Sequence, residues 1–92
     1  MGVDVEVHEL KTDPKVYDDV MSGRKTFEIR FNDRDFKVGD YLLLRKTYYT
    51  GEEMKQGKPL KYLDDAMVRV TYLLKGPIYG LKAGWVIMGV EH

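Results

Sequence analysis

Apolar and charged residues alternate with a two-residue period at the start of the chain, a spacing that predicts an amphipathic β-strand. The apolar positions of this stretch are all valines (Val3, Val5 and Val7). His8 and Leu10 follow with the parity of the polar face, so we expect either the strand to bend or the sheet to curl near His8. Two interpretations of His8 are open: a partly buried, hydrogen-bonded histidine, or a site residue that exchanges protons near neutral pH.

The same alternation recurs in residues 26–31, where it separates two chemically different faces. One face is apolar, and we expect it to anchor the strand in the core (Phe27, Ile29 and Phe31). The other face carries Thr26, Glu28 and Arg30, with the carboxylate and the guanidinium about 6–7 Å apart at the rise of two strand residues. Such a pair is most often a solvated surface ion pair. The alternative is the floor of a ligand pocket.

A helix is predicted between these two strands. Thr12 or Asp13 supplies a cap oxygen, and Pro14 suits the first helical turn. An apolar stripe at helical spacing follows and is expected to pack on the sheet (Val16, Tyr17, Val20 and Met21). Gly23 is the expected terminator, because glycine readily adopts the left-handed conformation that ends helices.

Three further strands are predicted from the apolar pattern. Residues 41–49 begin with a nearly continuous apolar run and indicate a central strand, whereas residues 85–91 are apolar on both faces and are expected to be buried on both. Residues 66–74 alternate, with four apolar side chains expected on one face (Val68, Val70, Tyr72 and Leu74). Residues 50–65 are rich in glycine and charge, which predicts a mobile excursion with one short edge strand near residues 60–63.

The order of these elements predicts an α+β, mainly β fold. We expect a small curled sheet or pseudo-barrel of five or six strands with one N-terminal helix. The length of 92 residues indicates a single domain over residues 1–92.

Composition limits the classes of function. Lys+Arg and Asp+Glu both number 15, so the formal net charge is zero, whereas a tight non-specific binder of duplex phosphate is usually basic. The absence of cysteine excludes disulfides, zinc–thiolate sites and cysteine nucleophiles. No apolar run reaches the roughly 18 residues that span a bilayer. We therefore expect a cytoplasmic monomer with no membrane segment, metal or cofactor.

Gly23, Lys25, Glu28 and Arg30 form the pattern G-x-K-x-x-E-x-R. This pattern resembles the signature of the ASCH domain, a member of the PUA-like superfamily. The residues that follow, through the Val-Gly-Asp turn at 38–40 and the closing strand, are similar to a short, mostly bacterial and phage branch of that family. The resemblance covers nearly the whole chain.

The resemblance implies a PUA-like β-barrel with a helix beside it and a cleft lined by the signature strand. Members of the superfamily are associated with RNA and modified nucleosides. Some ASCH proteins are amidohydrolases of N4-acetylated cytidine with a proposed threonine nucleophile, and others are ribonucleases. Glu28 stands at the position of that threonine here, and a carboxylate cannot act as an alkoxide nucleophile.

Seven residues are the candidate contacts to RNA or a nucleotide (His8, Lys11, Lys25, Glu28, Arg30, Arg34 and Tyr79). A carboxylate accepts from base N–H groups, and the basic side chains suit carbonyl or phosphate oxygens. Tyr48, Tyr49 and Tyr79 fall in predicted loops or strand ends, where they could stack on bases. Trp85 begins a strand and is expected in the core. Arg34 has an alternative interpretation as a turn ion pair with a neighbouring aspartate.

Three functional hypotheses follow. The first is a binding module for single-stranded RNA, a nucleotide or a modified nucleoside, using Glu28 and Arg30. The second is a hydrolase acting on a modified nucleoside or RNA, in which Lys25 and Glu28 are catalytic, Glu28 as general base, and His8 is their partner. The third is a protein-interaction domain that uses residues 50–65. We favour the first, because zero net charge suits a small ligand or a short single strand.

Overall fold

The computed structural model describes residues 5–92. In chain order the elements are β1 (Val7–Thr12), α1 (Pro14–Met21), β2 (Phe27–Phe31), β3 (Tyr41–Thr47), α2 (Gly51–Lys55), β4 (Tyr62–Lys75) and β5 (Trp85–Glu91). Val3, which the sequence assigns to the first strand, lies outside the described residues. Neither helix in this part of the chain is long and apolar enough to cross a membrane.

The five strands form one sheet in the order β1-β3-β4-β5-β2. β1 pairs with β3 in parallel, and every other neighbouring pair is antiparallel. The sheet curls into a half-barrel, so its two edge strands, β1 and β2, border an open seam. The predicted mainly β class and curled sheet are confirmed, and β3 is a central strand as expected.

The core fills the inside of the curl, with α1 packed against it. Its buried apolar side chains come from α1, from four strands and from the loop after β2 (Leu10, Tyr17, Val20, Phe36, Leu42, Leu44, Val68, Val70, Val86, Met88 and Val90). α1 begins at Pro14, and Gly23 just beyond its end has a φ of +80°. The predicted first residue, stripe and terminator of this helix are therefore confirmed. The predicted cap oxygen is wrong, because Asp13 makes no side-chain hydrogen bond to α1 and instead accepts one from the Gly51 amide.

The alternation predicted for β1 is confirmed, but the expected inner face is wrong. Val5 and Val7 are exposed, whereas His8, Leu10 and Thr12 are buried. Alternation separates two faces without specifying which one is inside. His8 is stabilised inside by Asp40, a partner distant in sequence that the local pattern cannot reveal, whereas the Thr12 hydroxyl donates to the nearby Leu10 carbonyl.

The inner face of β2 is reversed in the same way. Phe27, Ile29 and Phe31 are between 43% and 54% exposed, whereas Glu28 is 2% exposed. The expectation that the apolar set anchors β2 in the core is wrong. The side chains of Lys25 and Arg30 neutralise Glu28 at this position, so a charged face can turn inward.

A β-bulge explains why the predicted inner face of β4 is correct up to Val70 and wrong after it. The register against β5 shifts between Val70 and Tyr72, and one extra residue in a strand exchanges the faces of all that follow. Val68 and Val70 are buried as predicted, but Tyr72 is 64% exposed, and Leu73 packs against the core in place of Leu74.

β5 is buried on one face only, contrary to the prediction. Val86, Met88 and Val90 face the core, while Trp85 is 37% exposed and packs edge-to-face on Phe31 with ring centroids 6.0 Å apart. This exposure shows that the expected core position of Trp85 is also wrong.

Residues 50–65 contain more regular structure than predicted. Thr50 and Glu53 form a capping box that starts α2, with each side chain accepting a hydrogen bond from the backbone of the other. The predicted edge strand near residues 60–63 is instead the start of β4, which pairs with β3 from Tyr62 onward.

Candidate functional site

A buried ion triad lies on the inner face of β2. Glu28 receives hydrogen bonds from Lys25 Nζ at 2.8 Å on Oε2 and from Arg30 Nη2 at 3.1 Å on Oε1. Arg30 Nε donates to the same Oε1 at 3.3 Å. The side chains of Lys25 and Arg30 are 19% and 27% exposed, so the two cations reach solvent from a fully buried carboxylate.

Local structure explains how these three residues meet. Gly23 ends α1, and the Lys25 amide donates to the Asp19 carbonyl at 3.0 Å, which fixes the turn into β2. β2 then pairs with β5, where Glu28 lies opposite Met88 and Arg30 opposite Val86. Both partners face the core, so the acid and the base must turn to the inside of the half-barrel.

Arginine side chains bridge the seam between β1 and β2. Arg30 Nη2 donates to the Lys11 carbonyl at 3.1 Å, and Arg34 Nη1 donates to the Glu9 carbonyl. The main-chain groups of Glu9 and Lys11 point away from β3. Along β1 the even-numbered residues face β3, since the Tyr41 amide donates to the Glu6 carbonyl, and Glu9 and Lys11 are odd-numbered. The guanidinium groups therefore satisfy edge carbonyls that a closed barrel would pair with another strand.

A pocket of about 330 Å³ opens at this seam. Nine residues from β1, α1, β2, β5 and the turns before α1 and β2 line it (Lys11, Asp13, Val16, Lys25, Glu28, Ile29, Arg30, Phe31 and Trp85). Its volume is near the lower end of the roughly 300–1,000 Å³ that is common for small-molecule sites. The triad lies on its inner side, and its exposed wall includes Ile29, Phe31 and Trp85 together with Lys11 and Asp13.

The donors in the pocket are only partly used. A guanidinium has five N–H groups and an ammonium has three. Arg30 commits Nε and Nη2, while Nη1 has no hydrogen-bond partner among the described residues. Lys25 donates to Glu28 and to the Phe27 carbonyl at 2.5 Å, which leaves one N–H. The site therefore offers donors to an acceptor-rich ligand, such as a phosphate or a base carbonyl.

The free edge of β2 adds main-chain groups to the pocket wall. The Thr26 carbonyl accepts from Val90, and the Asn32 amide donates to Gly84, so residues of even number face β5. Ile29 has the opposite parity, and its N–H and C=O point to the seam. A neighbouring donor and acceptor on a strand edge suit the edge of a nucleobase.

The structure brings four of the seven candidate contacts together: Lys11, Lys25, Glu28 and Arg30 all line the pocket. Arg34 lies on the seam beside them but is committed to Glu9 and to an ion pair with Asp33 at 3.4 Å, the alternative foreseen for it. Tyr79 is 89% exposed in the loop before β5 and is not part of the pocket wall.

His8 lies away from the other candidates. It precedes Lys11 by three residues, about 10 Å along β1. Its Nε2 is 2.8 Å from Asp40 Oδ2, and its ring packs edge-to-face on Phe36. The structure therefore does not assemble the predicted grouping of His8 with Lys25 and Glu28.

Asp40 is the centre of a separate buried network. Burial opposes its ionisation, but the hydrogen bonds from His8 and from the amides of Glu6 and Lys37 outweigh burial and hold the pKa of Asp40 below its usual value. Glu6, His8 and Asp40 also place potential metal-ligand atoms within 4.8 Å of one another. Both Asp40 oxygens already accept protein hydrogen bonds, so the cluster ties the β1 end to the 37–40 turn.

The sequence analysis missed the apolar part of the site. Ile29, Phe31 and Trp85 form the rim of the pocket, and Val16 of α1 reaches into it. All four residues were expected in the core or packed on the sheet, because they belong to apolar stretches or begin a strand. The sequence signal that could have placed them at the site was position: Ile29 and Phe31 adjoin Glu28 and Arg30, and Trp85 begins a strand.

The fold and the pocket define a small β half-barrel protein with a ligand-sized pocket at the seam of its sheet. The chain belongs to the family described as Domain of unknown function (DUF3850), whose sequence profile matches residues 7–90. The match begins at the first residue of β1 and ends at Val90 in β5, so it includes every residue that lines the pocket. No curated protein matches the chain.

Proposed function

We propose that the protein is a binding module for a nucleotide or short single-stranded RNA, with one nucleotide in the pocket at the seam. The observation that carries this proposal is the arrangement of Arg30 and Lys25, which Glu28 holds in place while N–H donors remain for a ligand. Bidentate donation by a guanidinium is well matched to phosphate and to base carbonyls.

The rest of the pocket suits the same ligand. Lys11 adds a third cation, and Ile29 offers a main-chain donor and acceptor. Trp85 and Phe31 supply partly exposed rings at the rim, where a base can stack. Small-ligand sites usually combine apolar and aromatic walls with a few placed polar groups, and four of the nine residues that line this pocket are apolar or aromatic.

The ASCH signature supports the proposal from a second direction. Gly23, Lys25, Glu28 and Arg30 each have a role in this site: the glycine ends α1, and the three charged residues form the triad. We propose that the family is a branch of the ASCH domains within the PUA-like superfamily, in which the signature strand lines a nucleotide cleft.

Binding is favoured over hydrolysis by the side chains in the wall. None of the described residues that line the pocket carries a hydroxyl or thiol, so a serine, threonine or cysteine nucleophile is missing. Glu28 accepts hydrogen bonds from two cations, which makes it a structural anchor for the donors rather than a free general base.

The first test is an NMR titration of the protein with the four ribonucleoside 5′-monophosphates. Shifts are expected in amides of β2, of the start of α1 and of Trp85. Arg30→Ala should weaken binding by about 10- to 100-fold, because it removes charge-assisted hydrogen bonds of about 1.5–3 kcal/mol.

Arg45→Ala is the matched control. Arg45 is also a strand arginine in ion pairs with carboxylates, and its side chain is 29% exposed against 27% for Arg30, but it lies outside the pocket. Equal losses in the two variants, or nucleotide shifts confined to other surfaces, would rule out the pocket. A complete lack of response to all four nucleotides and to short RNA would reject the function.

A further inference from the structure

A second depression adjoins the pocket on the outer face of the sheet. Its volume is about 280 Å³. It is lined by Ile29, Gly80, Leu81, Lys82 and Trp85. The β2 strand and the 76–84 loop are therefore its two sides.

Ile29 and Trp85 line both the pocket and the outer depression. The two side chains form a partition with a charged site on its inner side and a mainly apolar site on its outer side. Their exposed fractions, 46% and 37%, show that this partition is open to solvent. Two ligand groups joined by a short linker could occupy both sides at once.

The chemistry of the outer depression complements that of the pocket. Trp85 and Leu81 offer aromatic and apolar surface to a flat ring, and base–aromatic stacking tolerates any base. Lys82 is the charged residue of the wall, and it forms no ion pair within residues 5–92. An apolar wall with a single available ammonium fits a base attached to a phosphate.

We propose that the outer depression binds the neighbouring nucleotide of a single-stranded RNA whose first nucleotide occupies the pocket. The base packs on Trp85 and Leu81, and Lys82 contacts the linking phosphate. The physiological ligand is then a chain of at least two nucleotides and not a free nucleoside. This inference rests on the proposed function, from which it differs by requiring a second subsite.

The test compares 5′-phosphorylated ribodinucleotides with the matching monophosphates by calorimetry or NMR titration. One additional stacked base contributes about 1–3 kcal/mol, so the dinucleotide should bind about 5- to 150-fold more tightly. Lys82→Ala should reduce dinucleotide affinity by about two- to fivefold, as expected for an exposed ion pair. Leu81→Ser should also weaken the dinucleotide. Neither residue belongs to the pocket, so monophosphate affinity should stay the same.

Lys61→Ala is the control, because Lys61 is an exposed lysine near Tyr48, outside both depressions. Equal affinities for mono- and dinucleotides, with monophosphate binding retained, would overturn the second subsite and leave the proposed function intact. A change in oligomeric state in Leu81→Ser, with no change in dinucleotide affinity, would overturn it in favour of a self-association face. No binding of either ligand would reject both proposals.

Discussion

Glu28 has its main effect through its neighbours. A carboxylate that is 2% exposed requires compensation, and Lys25 and Arg30 provide it. The compensation works in both directions, since the acid also fixes the position of two long, flexible cations. The sequence indicated that Glu28 and Arg30 share a face. It could not show that the face is buried, because burial depends on the curl of strands far along the chain.

Asp40 gives a prediction on pH at the same scale. Its pKa is held below the usual value of about 3.9, so its network should stabilise the fold fully above about pH 5 and lose that contribution as the pH falls through 4 and below. Asp40→Asn should lower the free energy of unfolding by about 1–3 kcal/mol at pH 7. Urea unfolding from pH 3 to 7 should show the difference shrinking towards acid.

Asp33→Asn provides the comparison, because Asp33 is an exposed partner in a surface ion pair and should change stability by less than about 1 kcal/mol. If the difference in the free energy of unfolding between wild-type protein and Asp40→Asn stays constant over this pH range, the ionised carboxylate does not contribute to the stability of the network.

At the scale of elements, β2 is an edge strand, and the N–H and C=O groups of its odd-numbered residues point to the seam. Ile29 and Ile87 lie directly opposite each other in register and on the same outer face. Their main-chain groups differ, because the Ile29 N–H points to the seam while the Ile87 N–H points to β4, and Ile29 is also the more exposed of the two. The pair therefore separates the effect of a ladder hydrogen bond from that of the side chain.

Proline substitution exploits this difference. Ile29→Pro should remain folded and lose about 1 kcal/mol, because edge strands tolerate proline where the N–H faces away from the sheet. Ile87→Pro should lose about 3 kcal/mol or more, because it removes a bond in the middle of the sheet. Thermal unfolding of both variants tests the direction of the two N–H groups. Similar losses of stability in the two variants would contradict the claim that the Ile29 N–H points to the seam.

Elements also show what local patterns can and cannot predict. The bounds of α1 were predicted correctly because Pro14, the apolar stripe and Gly23 are local signals, whereas the Asp13 carboxylate, predicted as a cap, accepts from the distant Gly51 amide instead. The exchange of faces at Tyr72 follows from a bulge opposite Gly89, where a Cβ would come within 3.1 Å of the Thr71 hydroxyl. The sequence pattern of β4 alone does not indicate that Gly89 lies opposite it. α2 was missed although Thr50 and Glu53 form a capping box that was present in the sequence.

At the scale of the whole molecule, zero net charge predicts a weak dependence of RNA affinity on salt. The two proposed subsites engage one or two phosphates, through Arg30 and Lys82. Affinity for a short single strand should therefore fall with a log–log slope of about 0.7–1.4 between 50 and 200 mM salt.

Binding of a six-nucleotide RNA measured by fluorescence anisotropy across this range provides the check. A slope steeper than about 3 would mean that a wider basic surface holds the RNA, and the two-subsite description would then be wrong.

The order of the sheet has a consequence for how the molecule matures. Among residues 5–92, the strand that bears Glu28 and Arg30 is the second of five, yet the one strand with which it pairs there is the fifth. As synthesis proceeds, the charged residues emerge early and have no ladder to hold them until residues 85–91 follow. A truncated product that lacks β5 would keep the whole signature but lose Trp85 from the pocket wall and the strand that positions β2, so we expect the proposed nucleotide binding to require the fifth strand.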